Sequence, residues 1–203
     1  MNLGRLPRAG ARRRTQLRIR QRRGPICGVH HGVQPVVRGI QSAGVMANAK
    51  HFLDNNQEAD RRTVNAVVDE RTQHQLYLPP FEGAVKAGVL TVMCSYQKIN
   101  GEHACESAEA LGYLKRPTGL NFSGFVMSDW GATHSTYGSA KAGLDQDMPG
   151  SSEFYSAALR AATLNGSLPR DFVDGMVTRN HIVPRILRSM FSKARSYPRA
   201  LCC

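Results

Sequence analysis

The sequence predicts an α/β fold built on a parallel sheet. Residues 89–96 (VLTVMCSY) and 122–129 (FSGFVMSD) are largely apolar, β-branched runs of the kind that strands buried on both faces require. Segments with helical spacing of apolar residues alternate with them, at the roughly 10 to 15 residues of a crossover helix. Polar residues able to do chemistry collect at the ends of the strand candidates, which is where parallel α/β folds carry their sites. Right-handed crossovers can wind such units into an open sheet or a barrel, and the pattern alone leaves both open.

The elements follow in order. Residues 33–42 can form a short helix, and 44–52 (GVMANAKHF) a strand that delivers Lys50 and His51 at its end. Residues 69–86 space Leu76, Phe81 and Val85 as a helix does; Pro79 and Pro80, lacking the backbone N–H, must sit at a kink or a fresh helix start. Gly88 closes that segment before the strand at 89–96. Residues 106–115 read as a helix, with Asn121 and Gly124 as punctuation before the next strand. Residues 140–148 reach another strand end. Two amphipathic helices follow, at 152–164 and 170–190, the second interrupted at Pro184.

The 203 residues hold 27 Lys and Arg against 15 Asp and Glu, a net charge of +12. That excess belongs to one end, because residues 1–53 carry 11 of the basic residues and no acid. The arginines between Arg5 and Arg23 are not interleaved with aromatic residues for base stacking, so a disordered basic tail is expected rather than nucleic-acid binding. No run of about 18 apolar residues exists to span a membrane, and the arginine-rich start lacks the apolar stretch of a secretory signal. Cys27, Cys94, Cys105, Cys202 and Cys203 are odd in number with no CxxC spacing, which argues against a disulfide framework and a structural zinc site. His30 and His31 have no third ligand in view, and no metal or cofactor is expected.

The strand ends supply the candidate site. Lys50 and His51 end the first strand; Ser95 and Tyr96 end the second, with Asn100 following. Ser128, Asp129 and Trp130 end the third, and Asp145 and Asp147 the fourth. A carboxylate beside the only tryptophan, with Lys, His and Tyr at neighbouring strand ends, suits a neutral polyol ring: apolar stacking beneath, hydrogen bonds around. The substrate class this favours is sugar. Asp129 could equally cap a helix, since Ser128-Asp129 before Gly131-Ala132 is also an N-cap context.

The ordered blocks Lys50-His51-Phe52, Asn55-Asn56-Gln57-Glu58, Asp69-Glu70-Arg71-Thr72, Tyr77-Leu78-Pro79-Pro80-Phe81, Met93-Cys94-Ser95-Tyr96, Asn100-Gly101, Ser128-Asp129-Trp130 and Gly143-Leu144-Asp145 with Met148-Pro149-Gly150 resemble glycoside hydrolase family 3, of the β-glucosidase type. The resemblance implies a (β/α)8 barrel domain followed by a second, α/β sandwich domain. It also implies retaining hydrolysis of terminal β-D-glucosyl residues, in β-glucosides or short β-linked oligosaccharides, through a covalent glycosyl-enzyme. Asp129 matches the family's nucleophile. Lys50 and His51 match the pair that holds sugar hydroxyls, Lys50 also helping to keep Asp129 ionised; Met93 and Tyr96 match residues lining the same subsite, and Trp130 its aromatic wall. On the residues alone, Met93 suits packing better than specific contact. Asp145 and Asp147 suit local structure, and Glu58 and Arg61 suit solvent-facing helix starts.

The chain departs from the family pattern as well. A complete barrel needs about 250 residues, while the resemblance runs only from about Val36 to Ser192. The expectation is therefore an incomplete (β/α)8 (TIM-type) barrel at 36–192, truncated at both ends, behind a basic head at 1–35 that is disordered or mis-framed, with an unstructured tail at 193–203. Asn2 to Arg5 and Pro7 to Gly10 resemble a family block that should continue into an acidic, aromatic segment. The arginine-rich stretch that stands there instead is what a local frame error would produce. The general acid/base lies in the family's following domain, expected to complete the site, and Leu53-Asp54 after Lys50-His51-Phe52 lacks the histidine loop of the β-hexosaminidase branch. Expected partners are the sugar and that missing sandwich domain, with no nucleic acid and no membrane. The fragment is expected to be inactive or weak, the alternative being a non-catalytic carbohydrate-binding remnant. Secretion or a vacuolar location is suggested by the resemblance alone.

Overall fold

The computed structural model describes residues 14–18, 26–150 and 153–194. Strand β1 (Arg14–Arg18) leads through helix α1 (Ile26–Ser42) to β2 (Met46–Phe52). The two-residue strand β3 (Asn65–Ala66), α2 (Glu70–Thr72), a π-helical turn (Gln73–Tyr77) and α3 (Leu78–Lys86) precede β4 (Thr91–Cys94). A hairpin of β5 (Lys98–Ile99) and β6 (Glu102–His103), then α4 (Ala108–Lys115), lead to β7 (Phe125–Met127). Helices α5 (Tyr137–Ala142), α6 (Ala157–Leu164) and α7 (Arg170–Ala194) follow.

The main sheet has the order β1-β2-β4-β7, and every pairing in it is parallel. A parallel bridge between Met127 and Gln146 carries the order one position further. Among the described residues this sheet does not close on itself. Of the head at 1–35, β1 and the start of α1 are described; the rest of the head, and the tail beyond Ala194, lie outside the described residues.

Alternation along the strands explains why their sequences run apolar without a break. Ala47, Ala49, Val92, Cys94 and Val126 face the helices in one cluster, while Met46, Met93, Phe125 and Met127 face the other way and pack with Leu90 and with Val183 of α7. Phe52 and Phe81 meet edge to face at 4.9 Å, docking α3 on β2, a contact worth about 0.5–1.5 kcal/mol beyond its area. Gln41 ties α1 to the turn before β4, donating to Gly88 O at 2.9 Å and accepting from Leu90 N–H at 3.1 Å. That turn needs its glycine, since φ there is 78°.

Three boundaries differ from expectation. The helix placed at 69–86 is broken into α2, the π turn and α3, with Pro79 and Pro80 in the first turn of α3, where a missing N–H costs nothing. The long last helix runs through Pro184 without interruption. The strand expected at 140–148 begins with the end of α5 and a turn at Gly143, and of the rest only Gln146 is bridged to the sheet.

Candidate active site

Asp129 lies just past β7, so its carboxylate emerges at the carboxyl end of the sheet, where the residue is 8% exposed. Its Oδ1 accepts the backbone N–H of Trp130 at 2.7 Å, and its Oδ2 lies 3.1 Å from Nε2 of His51, on β2. Tyr96, just past β4, lies close enough to the same carboxylate for its phenol to interact with it. Three adjacent parallel strands thus each deliver a group to one carboxyl. Burial pushes the Asp129 carboxyl up, but the hydrogen bonds from His51, Trp130 N–H and Tyr96 outweigh it and hold the group below its ordinary value. The result is a partly desolvated, ionised and oriented carboxylate, which chemically is a nucleophile or a strong acceptor for a hydroxyl. Its charge and the burial push the Tyr96 phenol up, against the opposing pull of Arg62 and Arg61, so Tyr96 stays a donor.

Helix capping is not the role of Asp129. No helix starts there; Ala132 N–H closes a turn on Asp129 O at 3.0 Å, and α5 begins only at Tyr137. The loop carrying Asp129 is laced to residues 146–148. Ser128 N–H donates to Gln146 O and Gly131 N–H to Met148 O, both at 2.9 Å; Met148 N–H reaches Ser128 Oγ at 2.9 Å, and Thr133 Oγ1 donates to Asp147 Oδ1 at 2.6 Å. Asp145 is a buried anchor. It accepts Lys115 Nζ at 2.5 Å, Arg179 Nη2 at 2.7 Å and Val126 N–H at 2.8 Å. Burial, partly offset by Asp145, lowers the Lys115 ammonium to about 8.

The remaining predicted residues divide. Lys50 is half-buried beside His51, in register with Met93, and the Lys50–His51 and Phe52–Leu53 peptides are cis. Trp130 leaves its indole 45% exposed next to the carboxylate. Met93 is fully buried among Met46, Leu90, Phe125, Met127 and Val183, where it packs instead of facing the opening. Among the described residues no group of three or more His, Cys, Asp or Glu is arranged to hold a metal ion.

Sequence reasoning passed over several neighbours and set Arg61, with Glu58, aside as a solvent-facing helix start. Arg61 and Arg62 stand 4.8 and 5.1 Å from the centre of the Tyr96 ring, and Arg61 pairs with Glu58 at 3.1 Å; no helix starts at either residue. The signal was two adjacent arginines just after a block of polar residues that itself follows the Lys50-His51 pair. Cys94 and Cys105 form a disulfide, Cα atoms 5.3 Å apart, enclosing Tyr96 and the hairpin. This corrects the inference from cysteine count: the partners meet because the β5–β6 hairpin folds the chain back, and no short cysteine motif announces such a pair. His103, at the hairpin's end, stacks on His134 of the loop that follows Asp129, with ring centres 3.6 Å apart.

With that arrangement in view, comparison with known proteins is decisive. The family model of the glycosyl hydrolase family 3 N-terminal domain matches residues 28–181. The chain belongs to that family. It is 50% identical over 150 residues to the "Probable beta-glucosidase L" of Aspergillus terreus, covering 70% of this chain and 20% of that protein. It is 42% identical over 160 residues to a beta-glucosidase of Wickerhamomyces anomalus. Among solved family 3 structures, the beta-glucosidase D2-BGL of Chaetomella raphigera superposes with a TM-score of 0.71 at 43% identity, over 82% of this chain and 23% of that one. DesR, a beta-glucosidase of Streptomyces venezuelae solved with D-glucose, gives 0.70 at 38% identity, over 82% and 22%. The chain therefore spans about a fifth of the length of these family 3 relatives. Its mixed α/β architecture and parallel strands are those of their N-terminal domain.

Proposed function

We propose that this chain carries the nucleophile half of a retaining β-glucosidase site, and that its sheet is a run of adjacent strands from an incomplete (β/α)8 barrel at 36–192. The observation that carries the reading is the convergence of His51, Tyr96 and the Trp130 N–H on Asp129 at the carboxyl ends of neighbouring strands. In the reaction an Asp129 oxygen attacks the anomeric carbon of a terminal β-D-glucosyl residue as the bond to the leaving oxygen breaks, giving a glycosyl ester. Water then cleaves that ester and regenerates the carboxylate. His51 and Tyr96 hold the carboxylate in line, Lys50 and His51 take sugar hydroxyls, and Trp130 offers its face to the ring beyond the scissile bond. Met93 supports the sugar-binding floor from below. A second carboxyl group about 5 to 5.5 Å away must protonate the leaving oxygen and then activate water. In this reading it comes from a sandwich domain that completes the site.

Incubation with a dinitrophenyl 2-deoxy-2-fluoro-β-glucoside tests this, because such a leaving group departs without an acid and the fluorosugar ester accumulates. Peptide mapping is expected to find the label on Asp129 and to find none in Asp129→Asn; a label on another residue overturns the assignment. Glucose binding with no label at all would instead favour a carbohydrate-binding remnant.

A further inference from the structure

Two sites on the surface have no part in the glycosidase reading. Asn121-Phe122-Ser123 and Asn165-Gly166-Ser167 each place a hydroxyl residue two positions after an asparagine with no proline between, the pattern that oligosaccharide transfer to asparagine requires. Sequence pattern alone is weak, and the structure adds to it in three ways.

The first is exposure. Asn121 and Ser123 are exposed around a Phe122 that is only 4% exposed, so the core anchors the segment while both polar side chains stay at the surface. Asn165, Gly166 and Ser167 are all exposed in the turn that ends α6. A glycan is a large hydrated group and can be carried only where folding does not bury its attachment point. The second is local geometry. Asn165 Oδ1 accepts both the N–H of Ser167 at 3.0 Å and its Oγ hydroxyl at 2.7 Å. Acceptor asparagine and hydroxyl are thus already paired through the amide oxygen, whereas transfer takes place at the amide nitrogen. Asn121 has φ 51°, in a turn that asparagine tolerates. The third is the redox setting. The Cys94–Cys105 disulfide forms and persists in oxidising compartments, which in eukaryotic cells are also those where asparagine is glycosylated.

We propose that Asn121 and Asn165 are N-glycosylation acceptors, taking an oligosaccharide from a polyprenyl-diphosphate donor. In the transfer a bond forms from Nδ2 to the anomeric carbon while that carbon's bond to the diphosphate oxygen breaks. The diphosphate leaves with the electron pair and Nδ2 gives up one proton. Asn121 sits at the amino end of the sheet: it precedes β7, and a Cβ on the nearby Gly124 would lie 2.2 Å from Leu90 O, at the start of β4. Asp129 is at the opposite end. A glycan on Asn121 therefore leaves the sugar site open.

The test is to direct the full 203-residue chain through a secretory pathway with a cleavable leader, in a yeast and in translation with microsomes. Purified protein is then treated with peptide-N-glycosidase in ¹⁸O water and mapped by mass. Both asparagines are expected to be converted to ¹⁸O-labelled aspartate, with Ser123→Ala and Ser167→Ala each removing one glycan. The microsomal gel shift reads the same losses at translocation, so it does not depend on a variant folding well. A secreted or translocated chain with both asparagines unmodified overturns the proposal, and occupancy of one site alone overturns it for the other. No hydrolysis is measured, so this outcome and that of the labelling experiment stand separately.

Discussion

Tyr96 is the residue whose removal would report most directly on how Asp129 is held. Its phenol lies beside the carboxylate and helps hold it ionised, and a hydrogen bond to a charged group contributes about 1.5–3 kcal/mol. If the proposed function holds, Tyr96→Phe should lower turnover by about 10- to 100-fold. It should also move the acidic limb of the pH profile upward, because a weaker hydrogen bond lets the carboxyl keep its proton to higher pH. A pH–rate profile showing the loss with no shift of that limb would make Tyr96 a packing residue only. Asp54 tells the reverse story. Burial raises its carboxyl to about 6, against an opposing hydrogen bond from Gln73 at 2.5 Å, and its Oδ1 is buried with no partner among the described residues. A folded value above the unfolded 3.8 means the native state binds the extra proton, so stability from this group is present below about pH 4 and is lost as pH rises through about 6. Asp54→Asn removes that loss and suits the φ of 65°. It should stabilise the chain at pH 7 by up to about 3 kcal/mol and by almost nothing at pH 4, measured as the difference in melting temperature between the two pH values. An equal effect at both would show that the gain comes from backbone conformation, not charge.

Asp145 joins three elements through its carboxylate. It collects Lys115 from α4, Arg179 from α7 and the Val126 N–H in the middle of β7. Removing one partner of a buried ion pair leaves charge without compensation, at about 3–5 kcal/mol. Asp145→Ala should therefore unfold the chain at much lower denaturant than Asp147→Ala, which loses one hydrogen bond to Thr133; equal midpoints in urea would show that the anchor is not where we place it. These elements were legible to different degrees. The strands at β2, β4 and β7 stood out because both faces are buried, so period-2 alternation disappears and a continuous apolar run replaces it. The β5–β6 hairpin was written in the sequence as Asn100-Gly101, whose φ values of 50° and 98° make the two-residue turn this dipeptide favours, yet the pair was read only as part of a family block. The break in 69–86 was half visible through Pro79 and Pro80. Asp129, His51, Tyr96 and Trp130 were legible because strand ends concentrate polar residues. The disulfide and the His103–His134 stack were not, since each joins residues brought together by loops whose path no local pattern encodes.

At the scale of the molecule, the nucleophile half proposed above should, assayed by itself, discriminate by leaving group. The chain spans about a fifth of its family 3 relatives, and a general acid contributes about 10² to 10⁴-fold to glycoside cleavage. Purified protein should then release dinitrophenolate slowly from dinitrophenyl β-glucoside, which needs no proton, and leave cellobiose untouched. Efficient release of glucose from cellobiose would place an acid/base within these 203 residues and remove the need for a completing domain. The parallel sheet has a further consequence, in time instead of energy. Asn48 of β2 and Met127 of β7, 79 residues apart in the chain, touch at 3.6 Å, and among the described residues no two strands of the main sheet are joined by a tight turn. Every pairing must wait for a whole crossover to close, so the entropy of loop closure is met before any strand contact rewards it. The helices and the β5–β6 hairpin can form early from local contacts, on the scale of microseconds. The meeting of His51 with Asp129 comes last. A pulse of deuterium during refolding would find the amides of the hairpin protected well before those of β2 and β7, and the surroundings of Asp129 would be the slowest part of the protein to come into being.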